Sequence, residues 1–411
     1  ISFSILCYTI AGTPFAYIHS YAISLISILI FTIAVKTKSN SAWFFLPVFM
    51  TISFLCMQTP SAYINIILII FSLVYFFIEF NLKNILFFVL GSVFILLFFI
   101  FFLYIFEIPF INFIQQYLLF PLTIGENRVA GNEMAHISLA GRFTLRNVLG
   151  HFKFINFFLI LIIFITLLNY SKKFKNFLNR DEIIINLALF FSGIGFIFHQ
   201  LITSNQTFIF SLIPFLAGFS HIIIRKYFFD KKILNLLIIL LVVFTTFKYH
   251  SVYNVPRKFM DLQNVNLDLS LNADSIDAKF KNLKWVTPSF PKNPQKEMDF
   301  IKQIIEVLKE DNRNKMMITE YQFFSIILEQ NLNIPNRWYT HDNNSYPLEN
   351  HKYYEFYKKH FTKLIKEKNI EVIYITGDIK IENFQSYINN VCFDEKKINE
   401  ISTMHELKKC S

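Results

Sequence analysis

The sequence predicts a polytopic α-helical membrane protein with a C-terminal external α/β domain. Three observations carry this expectation. Long apolar runs rich in Phe, Ile and Leu follow one another to about Tyr249, and the remainder is mixed and charged. Apolar residues make up 54% of the 411 residues, and Phe alone occurs 52 times. Mean hydropathy is +0.42, above the usual balance of a soluble domain. The basic residues of the apolar part recur in alternate links between runs. The expected division is therefore a transmembrane segment 1–249 and an external domain 250–411.

A helix needs about 20 residues, with a range of roughly 17 to 25, to cross the hydrocarbon core. On that template eight full spans are expected, near 20–36, 42–57, 62–80, 84–106, 153–170, 183–201, 206–224 and 232–249. Residues 1–10 read as the tail of an earlier span. The chain starts at Ile1, without Met, inside an apolar run, which is the expectation for a fragment or a processed chain. These runs are continuously apolar and do not alternate, so helices rather than barrel strands are expected.

Basic residues orient the spans. Lys36 and Lys38 follow the first full span, and Lys83 lies two spans later. Lys172, Lys173, Lys175 and Arg180 come next in that parity, then Arg225, Lys226, Lys231 and Lys232. The opposite short links, Gln58-Thr59-Pro60 and Ser204-Asn205-Gln206-Thr207, carry no Lys or Arg. The positive-inside rule puts the first set in the cytoplasm. The loop 107–152 and the C-terminal domain then lie outside, in a periplasm or its equivalent.

The +10 net charge does not point to nucleic acid. Many basic residues sit in short links where topology explains them, and the rest are scattered among acidic residues without an aromatic-basic stripe.

The loop 107–152 opens with Glu107-Ile108-Pro109-Phe110, where Pro109 marks a helix boundary. Ile111 to Phe120 is amphipathic, with Gln115 and Gln116 on one side and Phe113, Tyr117 and Phe120 nearby. That pattern suits a helix lying in the interface plane. A polar stretch from Glu126 to Arg146 follows.

In the C-terminal part, residues 250–296 read as a linker or wrapping segment. Helical spacing is expected from Glu297 to Glu310 and from Tyr353 to Lys368, and a further helix begins at Phe323. Strands are expected at Lys315–Thr319 and Glu371–Ile375, and the alternation argues for a small α/β layer. Cys392 and Cys410 lie near the two ends of a terminal hairpin. A disulfide between them and two unrelated thiols are both open. Cys7 and Cys56 read as packing residues.

Polar residues at the outer edge of spans are functional candidates. They are His199 and Gln200 with Ser204, Asn205 and Gln206; Gln58 with Thr59; His19; and the loop 126–146. Arg128, Arg142 and Arg146 are candidates for clamping a phosphate or pyrophosphate headgroup, since a guanidinium offers a bidentate fork. Glu126 and Glu133 are candidates for a base or for holding a divalent cation, and His136 for a base or phosphate contact. Each has a plainer reading beside it. A lone interfacial Arg pairs with lipid phosphate, Glu126 and Arg128 form a local ion pair, and His199 is a satisfied interfacial histidine. Asn205 and Gln206 likewise finish a helix hairpin. The sequence has no Ser-His-Asp order, no metal-spaced His or Cys set and no Walker loop.

Leu55-Cys56-Met57-Gln58-Thr59-Pro60, after an apolar span that begins at Ser41-Ala42-Trp43, resembles a stretch of bacterial GT-C glycosyltransferases of the dolichyl-phosphate-mannose/aminoarabinose transferase type. Asn205-Gln206-Thr207-Phe208 with Ile213-Pro214 is similar to that family's late outer-edge motif. The external loop and the C-terminal α/β domain match its architecture, so the resemblance covers most of the chain through short motifs. Met57 departs from the pattern, because lysine is common there. The resemblance implies a GT-C-like fold and sugar transfer from a polyprenyl-phosphate carrier to a glycan, lipid or protein acceptor. It also implies a catalytic acid in a first external loop upstream of Ile1. Gln58, the polar loop, His199, Asn205 and Gln206 would then form the donor-carrier side of the site.

Rival expectations are an O-antigen polymerase or ligase, a transporter or flippase, and a non-catalytic assembly or sensor protein. A transporter predicts charges deep within spans and internal repeats. The sequence shows few such charges and no repeat.

Overall fold

The computed structural model describes residues 1–7, 16–123, 139–168, 178–203, 209–227, 232–254, 265–336, 346–347, 349, 351–379, 382–388 and 391–409. The chain divides into two compact units, Ile1–Met260 and Asp261–Ser411.

The first unit is helical. A short helix, α1 (Ser2–Leu6), precedes α2 (Ala16–Thr37), α3 (Asn40–Cys56), α4 (Ser61–Ile78) and α5 (Leu82–Ile105). Next come α6 (Phe110–Phe113), which widens into a π-helical turn over Ile114–Leu119, and α7 (Leu139–Arg142). A second π-helical turn at Arg146–His151 leads into α8 (Lys153–Leu168). The unit closes with α9 (Arg180–Ile202), α10 (Leu212–Tyr227) and α11 (Lys232–Tyr249), the last running on as a π-helical turn to Asn254. A helix stands within a few residues of each of the eight expected spans. The start of α10 differs most from its expected 206: it begins at Leu212, which places Pro214 in the first turn, where its missing N–H leaves no helical bond unmade.

Helix ends follow local chemistry. Ser39 caps α3 by accepting from Ala42 N, and Asn81 caps α5 by accepting from Lys83 N and Asn84 N. At the start of α9, Asn179 and Glu182 form a reciprocal capping box.

Among the described residues five helices are long and apolar enough to cross a membrane: Ala16–Thr37, Ser61–Ile78, Leu82–Ile105, Arg180–Ile202 and Lys232–Tyr253. Asn40–Cys56 and Lys153–Leu168 are shorter apolar helices. The apolar side chains of α5 are largely exposed, including Leu96, Leu97, Phe98, Phe101 and Phe102. A face of that kind needs an apolar surrounding. Inside the unit, Trp43 is fully buried among the rings of Phe31, Tyr75, Phe76 and Phe88.

The two ends of this unit differ. At one end Lys36 and Lys226 both pair with Glu182, the first at 2.9 Å, and Lys38 pairs with Glu79 at 3.7 Å. These bonds gather the C-terminal ends of α2, α4 and α10 with the N-terminal end of α9. Lys36, Lys38 and Lys226, from links that share a parity in the sequence, thus lie at one end. The opposite end carries the site described below, built from hydroxyl, amide and imidazole groups with Arg142 beside them.

The second unit is an α/β layer. Its four-stranded sheet has the order β3-β4-β6-β5. β3 (Lys315–Thr319) and β4 (Val372–Thr376) are parallel, in register from Lys315↔Val372 to Thr319↔Thr376. The hairpin of β5 (Val391–Lys397) and β6 (Ser402–Lys409) adds to β4 antiparallel. Both parallel strands are buried throughout, as expected for strands covered on both faces. Met317, Val372, Tyr374 and Met404 pack with α12 (Pro294–Glu310) and α13 (Phe324–Leu328). Met316, Ile318, Ile373 and Ile375 pack with α14 (Tyr354–Glu367) and α15 (Glu382–Gln385).

The segment before α12 forms a two-stranded ribbon of β1 (Leu271–Asn272) and β2 (Lys284–Trp285). Glu297, 1% exposed, fastens it by accepting from Trp285 Nε1 at 2.8 Å and Thr287 Oγ1 at 3.2 Å. Cys392 is disulfide-bonded, whereas Cys7 and Cys56 are free. Cys410 lies outside the described residues.

Candidate functional site

The opposite end of the first unit is built from three pieces of chain. The N-terminal end of α2 supplies Tyr17, Ser20 and Tyr21. The α3–α4 link supplies Met57 and Gln58, and the C-terminal end of α9 supplies His199 and Gln200. Ser20 Oγ donates to Met57 O at 3.1 Å, and Ser61 Oγ donates to the same carbonyl at 2.6 Å, so the link is held to both neighbouring helices.

At the centre, Tyr17 Oη and His199 Nδ1 are 3.3 Å apart, with the rings stacked at 5.3 Å. Gln200 Nε2 donates to the Tyr17 hydroxyl. His199 is 2% exposed and Gln200 fully buried. The Gln200 Oε1 atom is buried with no hydrogen bond, an acceptor whose capacity is unused. Tyr21 Oη and Ser211 Oγ extend the polar set at 2.7 Å.

The segment after α5 docks on this end through aromatic and amide groups. Gln58 Nε2 donates to Tyr117 O at 2.9 Å. The Tyr117 hydroxyl returns to the carbonyls of Phe54 and Leu55 at 2.7 and 2.8 Å, two of the last in α3. Beside it, the His151 ring lies 5.6 Å from Phe210 and 5.7 Å from Tyr253, and Phe210 stacks on Tyr249 at 3.9 Å.

The structure separates the expected site residues. His199 sits at the centre, and Gln58 is the tie to the segment after α5. Arg142 is buried, and its guanidinium donates to Ile202 O at the C-terminal end of α9, where a cation meets the negative end of the helix dipole. Arg146 is exposed at the start of the second π-helical turn. His19 is exposed on the first turn of α2. Glu126, Arg128, Glu133, His136, Asn205 and Gln206 lie outside the described residues. Among the described residues no group of three His, Cys, Asp or Glu side chains could hold a metal ion.

Sequence reasoning missed Tyr17, Tyr117, His151 and Tyr253. Their signal was the recurrence of Tyr and His at span ends, the interfacial aromatic belt.

A second polar cluster lies in the α/β unit. The Arg313 guanidinium grips Asp311 with two bonds, at 3.0 and 2.9 Å, and donates to Glu406 at 2.9 Å. Tyr374 Oη donates to the same Asp311 carboxylate at 2.5 Å. Burial pushes the Asp311 carboxyl up, but the bonds from Arg313 and Tyr374 outweigh it and hold the pKa at about 2. Burial lowers the Lys315 ammonium, which donates to the carbonyls of Leu308 and Asp311 at the end of α12. Every charged group here has its partner within the unit, so the cluster reads as a brace joining α12, β3 and β6.

Comparison with protein-family models, with curated protein sequences and with solved structures finds no match to this chain.

Proposed function

We propose that the chain is an integral membrane glycosyltransferase of GT-C type. It takes a sugar from a polyprenyl-phosphate carrier at the outer face of the cytoplasmic membrane and delivers it to a glycan, lipid or protein acceptor. The observation that carries this reading is the cluster of half-buried Tyr17 with buried His199 and Gln200 at the end opposite the lysine–carboxylate layer. Intramembrane polar residues mark substrate paths, and neutral hydroxyl and amide groups suit sugar hydroxyls. Arg146, exposed on the adjoining external segment, suits the carrier phosphate. The disulfide at Cys392 suits an oxidising compartment for the C-terminal unit.

Donor capture tests the reading. The full chain in lipid nanodiscs is exposed to a photoreactive polyprenyl-phosphate sugar, with unlabelled donor or the free polyprenol as competitor. Capture is expected, competed by the donor and not by the polyprenol. Arg146→Ala and Gln200→Leu are each expected to weaken it about tenfold, the loss of one charge-assisted or buried polar contact. No capture across a panel of sugars, or capture equally competed by polyprenol, removes the proposal.

A further inference from the structure

The α/β unit carries a cationic groove of about 720 Å³ along α14. Lys358, Lys359, Lys363 and Lys366 line it, against Glu355 and Glu367, which leaves a net charge of 4 − 2 = +2. Lys359, Lys363 and Lys366 are exposed. The Lys363–Glu367 pair spans 3.5 Å, with both side chains more than half exposed, and a pair of that kind contributes little. Tyr387 and Ile388, both buried, form an apolar floor beneath the lysine stems. The opposite side of α14 is committed to the core through Tyr354 and Phe361.

From Lys358 to Lys366 the helix advances about 12 Å at a rise of about 1.5 Å per residue. The charges form a line rather than converging on one point. Such a line fits many anions spread over a surface better than a single bound phosphate. The lysine stems can rest on the apolar floor while the ammonium groups reach outward. The tether adds to this. Ten residues, 255–264, link the described end of the last helix to the α/β unit; ten residues reach at most about 36 Å, which holds the unit within that distance of the helix end, at high effective concentration.

We propose that this groove is a docking surface for the phosphate headgroups of an anionic bilayer, on the leaflet from which the last helix emerges. The inference rests on the membrane-spanning part of the reading above and not on sugar transfer.

Lysine footprinting of the full chain tests it. The chain is placed in nanodiscs of phosphatidylcholine alone or mixed with phosphatidylglycerol, and the acetylation rate of each lysine is read by mass spectrometry. Exposed Lys281 and Lys309 serve as references. In the anionic discs Lys359, Lys363 and Lys366 are expected to react about threefold more slowly, and high salt should remove the effect. The triple variant Lys359→Gln, Lys363→Gln and Lys366→Gln alters only exposed side chains and should abolish the protection of Lys358. Equal rates in the two discs overturn the proposal. Equal protection in both overturns it too, because protein and not lipid then covers the helix. Protection by inorganic phosphate in neutral discs reassigns the groove to a free anion and likewise overturns it. A chain that alkaline carbonate strips from membranes sinks the spanning reading and this inference together. A chain that stays embedded with unprotected lysines sinks only the groove.

Discussion

Single side chains in this protein are decided by their partners rather than by their type. Arg142 and Arg146 are four residues apart and identical in chemistry. One is buried on the Ile202 carbonyl and the other faces outward. Nothing in the local sequence separates them, because the distinction depends on where the end of α9 arrives. Asp311 shows the same dependence in a measurable form. Its carboxyl titrates at about 2 in the folded unit, below its ordinary value of 3.8. A depressed acid contributes stability that is fully present above pH about 4 and is lost as pH falls towards 2. Because Arg313 keeps 36% side-chain exposure, solvent screening reduces the contribution to on the order of 1 kcal/mol. The urea midpoint of the full chain, read by tryptophan fluorescence, should therefore fall across that window, and Asp311→Asn should flatten the dependence. An unchanged slope in the variant would assign the acid sensitivity elsewhere.

Elements were more legible than residues. A run of apolar residues of spanning length is a local property, so the helices stand close to where hydropathy puts them. β3 and β4 were equally plain, since short β-branched and apolar runs bounded by Asn and Gly read as buried strands. The pairing of elements was not legible. Tyr17 and His199 lie 182 positions apart, and their meeting follows from α2 packing on α9, which no window of sequence encodes. Nor did the sequence mark Gly91 as special. A Cβ there would stand 2.0 Å from Phe44 O and 3.0 Å from Pro47 Cγ, so α5 approaches the backbone of α3 closely. Small residues permit such approach between apolar helices, which lack a hydrophobic drive to associate in lipid. Gly91→Leu should force α5 off α3 while leaving both helical. The expected readout is loss of a disulfide cross-link engineered between the two helices, with helical circular dichroism retained. A persistent cross-link would mean that the contact tolerates a side chain.

At the scale of the whole molecule, the lysine–carboxylate layer marks one end of the helical unit, and the positive-inside rule turns it into an expected direction. If the C-terminal unit lies outside, a membrane-impermeant maleimide applied to intact spheroplasts should label Lys281→Cys and spare Lys38→Cys. The opposite pattern would invert the topology, and labelling of both would show leaky membranes and call for a repeat with sealed vesicles of each orientation. The Glu182 knot has a bearing on how that topology is reached. Its carboxylate accepts from Lys36, 146 positions earlier, and from Lys226, 44 positions later, while completing the cap of α9. During synthesis the earlier lysine is in place before α9 leaves the ribosome, and the later one arrives afterwards. Glu182 can therefore pair with Lys36 as soon as α9 packs on α2. The same atom then receives α10. The bridge at Glu182 can therefore be complete only after α10 has been made.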